Sequence, residues 1–565
     1  KRNISVDLER IELNDEKTYQ TLTMGKTLGI FQLESIPMRE VLRQLKPDRI
    51  EDIIAVVALY RPGPMENIPS YIARKHNNKL TTYPHPLLED VLKETYGIMI
   101  YQEQVMEAAK IIAGFSLAKA DLLRRAMGKK IKSEMKGLKE SFIEGSKKNK
   151  IASNDAIKIF KDIEKFAGYG FNKSHAAAYA LISYQTAWCK TNYPAEFLTS
   201  LLNSEIGNTS EKISYIKSEL DVLGIKFFKS DINKSQALFS VENYNGEICV
   251  RSGLANIKNI GIELANEIVK ERNKNGIYKS VIDFITRLED FLNNKRQIEF
   301  LSMAGVFDQF ETNRAIIFES ASNLLLISQT INRDIKSEQK SLFYSKPNEK
   351  EFHHLFKKAD MWPLNVKFLN EYNALSFFTS GTPLEEEQGF FNDFKLSNSL
   401  DIINNRINGK TFEVLGFLVK YEERLVNNSK FLDLHFIDNK GTFNVSIFKD
   451  KIEELNVIIK EGLSYVVVLN HSLDRDNRMR LRIKSLKETR MLTKKNYKKS
   501  KIYLNDAKSL EELKEILQSC EKGNTNVILV YNNRQIHTGF SVSYDEKTFS
   551  KIKYINSVET IKKFL

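Results

Sequence analysis

The stretch Phe166-Ala-Gly-Tyr-Gly-Phe-Asn-Lys-Ser-His-Ala-Ala-Ala-Tyr-Ala-Leu-Ile-Ser-Tyr-Gln-Thr-Ala-Trp188 gathers the residue types of an anion site. Lys173, His175 and Tyr179 cluster at the start of what reads as a helix, after a tight loop carrying Gly168 and Gly170. A helix N-terminus presents unpaired N–H groups and the positive end of the helix dipole. Lysine and histidine beside it would add point charge suited to a triphosphate. Asn172 or Ser174 is placed to cap the helix. Ala176, Ala177, Ala178 and Ala180 would leave room for a flat group against the backbone. Upstream, Asp121-Leu-Leu-Arg-Arg-Ala-Met-Gly-Lys-Lys130 supplies Arg124, Arg125 and Lys129. Paired guanidiniums fork onto phosphate oxygens. The two segments together read as a pocket for a polyphosphate carried on a base. A basic solvated helix and a small-residue packing helix would use the same residue types, so the chemistry leaves both open.

Helices have to present these side chains. Residues 1–205 read as largely helical, with amphipathic stretches at 87–95 and 157–166 broken by Pro/Gly-bearing loops at 61–69 and 83–86. Strand signals follow at 225–228, 237–241 and 247–250, with Asn245-Gly246 as a hairpin turn. Gly253-Leu-Ala-Asn-Ile-Lys-Asn-Ile-Gly261 then leads into a helix over 262–272. A glycine hairpin at a helix start resembles the helix-hairpin-helix element, which offers backbone N–H groups to DNA phosphates regardless of base sequence. Ile257, Lys258, Asn259 and Gly261 are the candidate contacts. Asn259 stands where the first hairpin glycine is usual; asparagine also tolerates a left-handed turn. An ordinary loop would look similar. Residues 411–419, 431–436 and 442–448 alternate as strands, a helix is expected at 449–460, and strands return at 464–469 and 479–483. That order is the one expected of an OB-fold barrel, a frequent binder of single-stranded nucleic acid. Residues 501–565 read as a small β-α-β domain.

The chain has 565 residues, enough for about three to five domains. Its net charge of +13 is concentrated: residues 121–150 hold ten Lys/Arg against four Asp/Glu, and 491–501 hold five lysines and no acid. The first cluster suggests a polyanionic partner and the second reads as a linker. Cys189, Cys249 and Cys520 form no metal or disulfide pattern. With no secretory signal and no run of about 18 apolar residues, the expectation is a cytoplasmic protein away from membranes. No metal-ligating cluster is expected.

Phe31-Gln-Leu-Glu-Ser35, Ala58-Leu-Tyr-Arg-Pro-Gly-Pro64, Tyr71-Ile-Ala-Arg-Lys-His76, Tyr96-Gly-Ile-Met-Ile-Tyr-Gln-Glu-Gln-Val-Met106, Leu122-Leu-Arg-Arg-Ala-Met-Gly-Lys129 and the 166–188 segment occur in one order. The series closely resembles the fingers domain of the bacterial DNA polymerase III alpha subunit family, the C-family replicative polymerases. The resemblance is dense over 6–205 and looser to the C-terminus. It implies a multidomain α+β chain: mainly helical fingers at 1–205, a fingers extension with a small β region and helix-hairpin-helix at 206–310, a helical or irregular connector at 311–405, an OB-fold at 406–490, and a C-terminal α/β domain at 501–565.

By that resemblance Arg124 and Arg125 contact the triphosphate of the incoming dNTP, Lys129, Lys173 and His175 support it, and Tyr179 packs on base or sugar. Gln339-Lys-Ser-Leu-Phe343 resembles the sliding-clamp-binding motif, with Leu342 and Phe343 filling an apolar pocket and Gln339 at its rim. The implied partners are primer-template DNA, the beta sliding clamp, the clamp-loader tau subunit at the C-terminal end, and a proofreading exonuclease in the holoenzyme. Polymerases transfer nucleotides with two metal ions held by carboxylates. In this family those lie on a palm domain preceding the fingers, so Mg²⁺ is expected there rather than on this chain. Asp474-Arg-Asp476 and Glu385-Glu-Glu387 read as loop and solvated acids, no catalytic residue is assigned here, and the chain alone is expected not to extend a primer. The competing expectation is a non-catalytic DNA- and clamp-binding adaptor derived from a polymerase.

Overall fold

The computed structural model describes residues 5–129, 132–166, 170–207, 211–336, 356–385, 396–405, 407–426, 429–448, 458–474, 479–489, 499–506, 509–531, 534–542 and 557–564, with isolated residues between them. The chain divides into two compact units, Lys1–Leu201 and Leu202–Leu565.

The first unit is helical and has two apolar cores. In one, helix Ile50–Leu59 packs on helix Lys173–Asn192, burying Ile53, Val56, Ala176, Ala180, Tyr184 and Ala187. Ala176 and Ala180, one turn apart, are fully buried there, so these two small residues serve helix packing and not a ligand. In the other, helix Gln102–Ala113 packs against Leu117–Lys129 and Lys132–Lys148, and Ser153–Phe166 packs on Lys132–Lys148, in a core that includes Val105, Ala109, Ile112, Leu123, Phe142 and Phe160. Helix Lys132–Lys148 crosses the end of Gln102–Ala113 at Gly145, where a Cβ would lie 2.0 Å from the Ala113 carbonyl oxygen. Gly145→Ala is therefore expected to lower the stability of this unit by about 1–3 kcal/mol, as overpacking does, read from its denaturation midpoint.

The second unit mixes helices and sheets. Strands β1 (Lys226–Phe228), β2 (Ser240–Tyr244) and β3 (Glu247–Arg251) form a sheet in the order β1-β3-β2. Asn245 and Gly246 take φ of 53° and 86°, the left-handed pair a two-residue hairpin requires. Helices Ile262–Asn275, Val281–Arg287, Lys295–Met303 and Arg314–Lys336 follow, then Leu364–Leu375.

Strands β4 (Thr411–Val426), β5 (Ser429–Ile437), β6 (Thr442–Phe448), β7 (Ser464–Leu473) and β8 (Met479–Glu488) form an antiparallel sheet in the order β6-β5-β4-β7-β8. All five strands appear where alternation placed them. Among the described residues no ladder joins β6 to β8, so the sheet is not closed into a barrel. Alternation reports which face a strand buries; closure depends on pairing between edge strands, which alternation does not encode. The expected helix at 449–460 lies largely outside the described residues.

Strands β9 (Lys499–Leu504), β10 (Lys522–Tyr531), β11 (Arg534–Val542) and β12 (Val558–Phe564) make a sheet in the order β11-β10-β9-β12, with β9 and β10 parallel around helix Leu510–Ser519. Lys499, expected in a linker, instead sits in β9, which is paired on both sides. Among the described residues no helix is long and apolar enough to cross a membrane.

Candidate nucleotide and DNA interface

Helix Lys173–Asn192 is capped by Asn172, whose Oδ1 accepts the His175 N–H at 2.8 Å. The turn before it is held by residues 100–104. The Gln102 N–H donates to the Phe171 carbonyl at 2.9 Å, and the Gln102 side-chain amide donates to the Gly170 carbonyl at 2.9 Å. A Cβ on Gly170 would lie 2.8 Å from the Phe166 ring and 3.1 Å from Gln102 Cγ, so only glycine lets the two segments close. Glu103 completes the brace: one carboxylate oxygen accepts the Asn172 amide at 2.8 Å and the other the Lys173 N–H at 3.0 Å. The positive end of this helix is thus already occupied by a carboxylate of the same unit. The triphosphate expected at those N–H groups would have to displace it. Lys173 Nζ in turn lies 2.7 Å from Glu94.

Four ring contacts run along the start of the helix. The Arg61 guanidinium lies 4.0 Å over Phe171, Phe171 meets His175 at 5.3 Å, His175 meets Tyr179 at 4.4 Å, and Tyr179 meets Phe31 at 5.4 Å. His175 and Phe31 are exposed, and His175 is no core histidine. A row of rings meeting edge-on or tilted, with the Arg61 guanidinium at one end, can offer an exposed aromatic face to a base and a cation to its phosphates.

Arg124 and Arg125 stand on helix Leu117–Lys129, one on each oxygen of Asp121, at 2.8 Å in both cases. The hydrogen bond from Arg124 and the charge of both guanidiniums hold the Asp121 carboxyl below the usual range. Both arginines remain partly solvated, and Arg125 is 64% exposed. The side chain of Lys129 lies outside the described residues. Among the described residues no hydrogen bond, ion pair or ring contact joins these arginines to Lys173, His175 or Tyr179. The two sets sit on different cores, linked by helix Gln102–Ala113. Its first turn braces Gly170–Lys173 and its body carries the arginine helix.

In the second unit the hairpin at 257–261 buries Ile257 and Ile260 and exposes Lys258 and Asn259. Asn259 takes φ 65°, the left-handed turn expected of it. Gly261, with φ −67°, caps helix Ile262–Asn275, and a Cβ there would meet nothing. Its value lies in an open approach to the backbone and not in unusual dihedrals. One expectation needs correcting: the Lys258 N–H is not available to a phosphate, because it donates to the Ala374 carbonyl at 2.9 Å. The Asn256 amide likewise donates to the Leu375 carbonyl at 3.3 Å. The hairpin is docked on the end of helix Leu364–Leu375. The Lys258 side chain is exposed at the surface, while partial desolvation of its ammonium and the nearby Lys420 charge lower its pKa.

Gln339, Leu342 and Phe343 lie outside the described residues. Among the described residues no group of three or more His, Cys, Asp or Glu side chains is arranged to hold a metal ion.

Residues 1–150 match the bacterial DNA polymerase III alpha subunit finger domain, and residues 224–317 match the helix-hairpin-helix motif. The DNA polymerase III subunit alpha of Rickettsia bellii is 36% identical over 97% of this chain and 49% of that protein. The subunits of Borreliella burgdorferi and Caulobacter vibrioides are each 38% identical, over 92% and 83% of this chain and 46% and 40% of theirs. The chain belongs to the bacterial DNA polymerase III alpha subunit family. It spans about half the length of the curated relatives it matches.

The finger-domain match takes in Arg124 and Arg125 and stops short of Lys173, and the helix-hairpin-helix match takes in the hairpin at 257–261. Glu94, Gln102, Glu103 and Asp121 were missed by sequence reasoning. Asp121 had a signal, since its spacing of three and four to the arginines is that of ion pairs on a helix. Gln102 and Glu103 had none, because their partners lie about 70 residues away in sequence.

Proposed function

We infer that this chain is the nucleotide- and DNA-handling part of a bacterial replicative DNA-directed DNA polymerase. Arg124 and Arg125 grip the triphosphate of the incoming dNTP, with Lys129, Lys173 and His175 in support. The hairpin Ile257–Gly261 rides on the duplex backbone through the exposed Lys258 side chain and the approachable Gly261. The sheet β4–β8 is an OB-fold that holds the template strand. Gln339, Leu342 and Phe343 tether the enzyme to the sliding clamp, converting distributive into processive synthesis by raising the local DNA concentration. The C-terminal sheet faces the clamp loader's tau subunit, and the proofreading exonuclease acts within the same holoenzyme. The Mg²⁺-binding carboxylates of the reaction belong to the part of the polymerase that these residues do not include.

The observation that supports this reading best is the column Arg61–Phe171–His175–Tyr179–Phe31 along the helix that Lys173 begins, in a chain of this family. Stacking against an aromatic face contributes about 1–3 kcal/mol per base. Tyr179→Ala in the full-length polymerase is expected to raise KM for dNTP about fivefold, the lower end of that range, with primer-template affinity unchanged. Steady-state extension on a defined primer tests it. A KM equal to that of the parent enzyme would remove the column from the nucleotide site.

A further inference from the structure

We propose that Glu94 is a resident competitor for Lys173, holding the lysine until a phosphate displaces it and so setting how tightly the nucleotide binds. The inference rests on the reading that Lys173 takes a phosphate of the incoming nucleotide. Three observations carry it.

First, the ammonium has already made its choice in the free protein. Lys173 Nζ lies 2.7 Å from Glu94 Oε2. Second, the backbone that carries the carboxylate is pinned. The Glu94 carbonyl accepts Arg49 Nη2 at 3.0 Å, and the same nitrogen donates to the Tyr96 hydroxyl at 3.0 Å. Tyr96 and Gly97 both take left-handed dihedrals, with φ of 54° and 79°. The Tyr96 carbonyl is held by Arg74 at 2.9 Å, and a Cβ on Gly97 would lie 2.1 Å from the Thr82 carbonyl oxygen. A turn held in this way keeps the root of the Glu94 side chain within reach of Lys173. Third, Glu94 Oε1 is buried and has no hydrogen-bond partner among the described residues. A buried carboxylate oxygen left unsatisfied makes the cation on the other oxygen more valuable.

The surroundings sharpen the competition. The Lys173 N–H is taken by a second carboxylate, Glu103. A phosphate reaching the lysine meets two fixed negative charges, so it stays only if its other oxygens find further cations. A triphosphate spanning to other basic groups satisfies that condition, and the pair re-forms once the product leaves.

The test is steady-state primer extension by the full-length polymerase with dATP as the varied substrate and inorganic pyrophosphate as the competing anion. Glu94→Gln keeps the shape and removes the charge. It is expected to lower KM for dATP about threefold to fivefold, the strength of a partly exposed ion pair, and to lower the inhibition constant of pyrophosphate by a similar factor. Glu94→Asp keeps the charge and should leave both within twofold. In a Lys173→Ala background, which by itself raises KM, Glu94→Gln should change KM by less than twofold. If Lys173→Ala raises KM while Glu94→Gln leaves it unchanged, the competitor is refuted and the nucleotide reading stands. A rise in KM in both Glu94 variants marks a structural role and also refutes it, as does an undiminished effect of Glu94→Gln without the lysine. If Lys173→Ala leaves KM unchanged, the underlying nucleotide reading fails instead.

Discussion

Replacing Arg124 and Arg125 together by alanine in the full-length polymerase is expected to raise KM for all four dNTPs by a hundredfold or more. Hydrogen bonds to charged groups contribute about 1.5–3 kcal/mol each, so two forked guanidiniums lost at once remove about 3–6 kcal/mol, or roughly 10² to 10⁴ in affinity. The effect should be on binding and not on folding. Both side chains are partly solvated, at 34% and 64% exposure, and the helix that carries them is held by Ala120, Leu123 and Ala126, all fully buried. Lysine at both positions keeps the charge but not the fork, so the double lysine variant should fall between the two extremes. Steady-state extension at saturating primer-template separates the cases. A double alanine variant whose KM stays within threefold of the parent would mean that the helix faces something other than the triphosphate.

The elements of this chain were largely legible because their signals are local. Asn245-Gly246 demands a hairpin, Asn172 marks a helix start, and alternation from Thr411 onward marks strands; the structure has each in place. The chemistry of the site was legible in part. Lys173, His175 and Tyr179 do share one helical end, and Arg124 and Arg125 do stand together on another helix. What could not be read was which acids hold them. Glu94 lies 79 residues before Lys173, and Glu103 lies 70 before it. Such pairs follow from how the two cores meet along helix Gln102–Ala113, and no spacing rule reports that. The same limit explains the alanines. Composition shows that 176–180 is slim; only the packing partner, Ile50–Leu59, tells whether the slim face admits a ligand or a helix.

Glu371→Ala is expected to cause the largest loss of stability in the second unit, although Glu371 touches neither nucleotide nor DNA in the proposed function. Glu371 is fully buried, and Arg314, 4% exposed, is its cation at 2.7 Å. Arg314 also clasps both oxygens of Asp308 at 2.7 Å. A Cβ on Gly305 would lie 2.2 Å from the guanidinium, so the arginine fills that space. Glu371 accepts in addition the N–H groups of Thr379 at 2.8 Å and Ser380 at 3.0 Å, and the Ser380 hydroxyl. Its removal strands three donors and one N–H edge of a buried arginine, leaving that arginine to Asp308. Breaking a buried pair from one side costs about 3–5 kcal/mol. Native-state hydrogen exchange should show the Thr379 and Ser380 amides losing at least a hundredfold in protection.

Glu371→Gln, which keeps one acceptor oxygen, should lose less; removing both partners, as Arg314→Met with Glu371→Leu, should recover part of the loss. Acid should act on the same network. Burial raises the Asp308 pKa, but Arg314 and Lys229 outweigh it and hold the carboxyl below its usual range. Its contribution is therefore complete above the unfolded carboxylate pKa of about 4 and is lost as pH falls through the lower folded value. The consequence reaches the hairpin, because the Ala374 and Leu375 carbonyls that dock Lys258 and Asn256 end the helix on which Glu371 sits. Glu371→Ala should thus weaken duplex binding without altering its salt slope, whereas Lys258→Ala should reduce that slope by about one. Equal slopes in the two variants would separate the hairpin from the phosphate backbone.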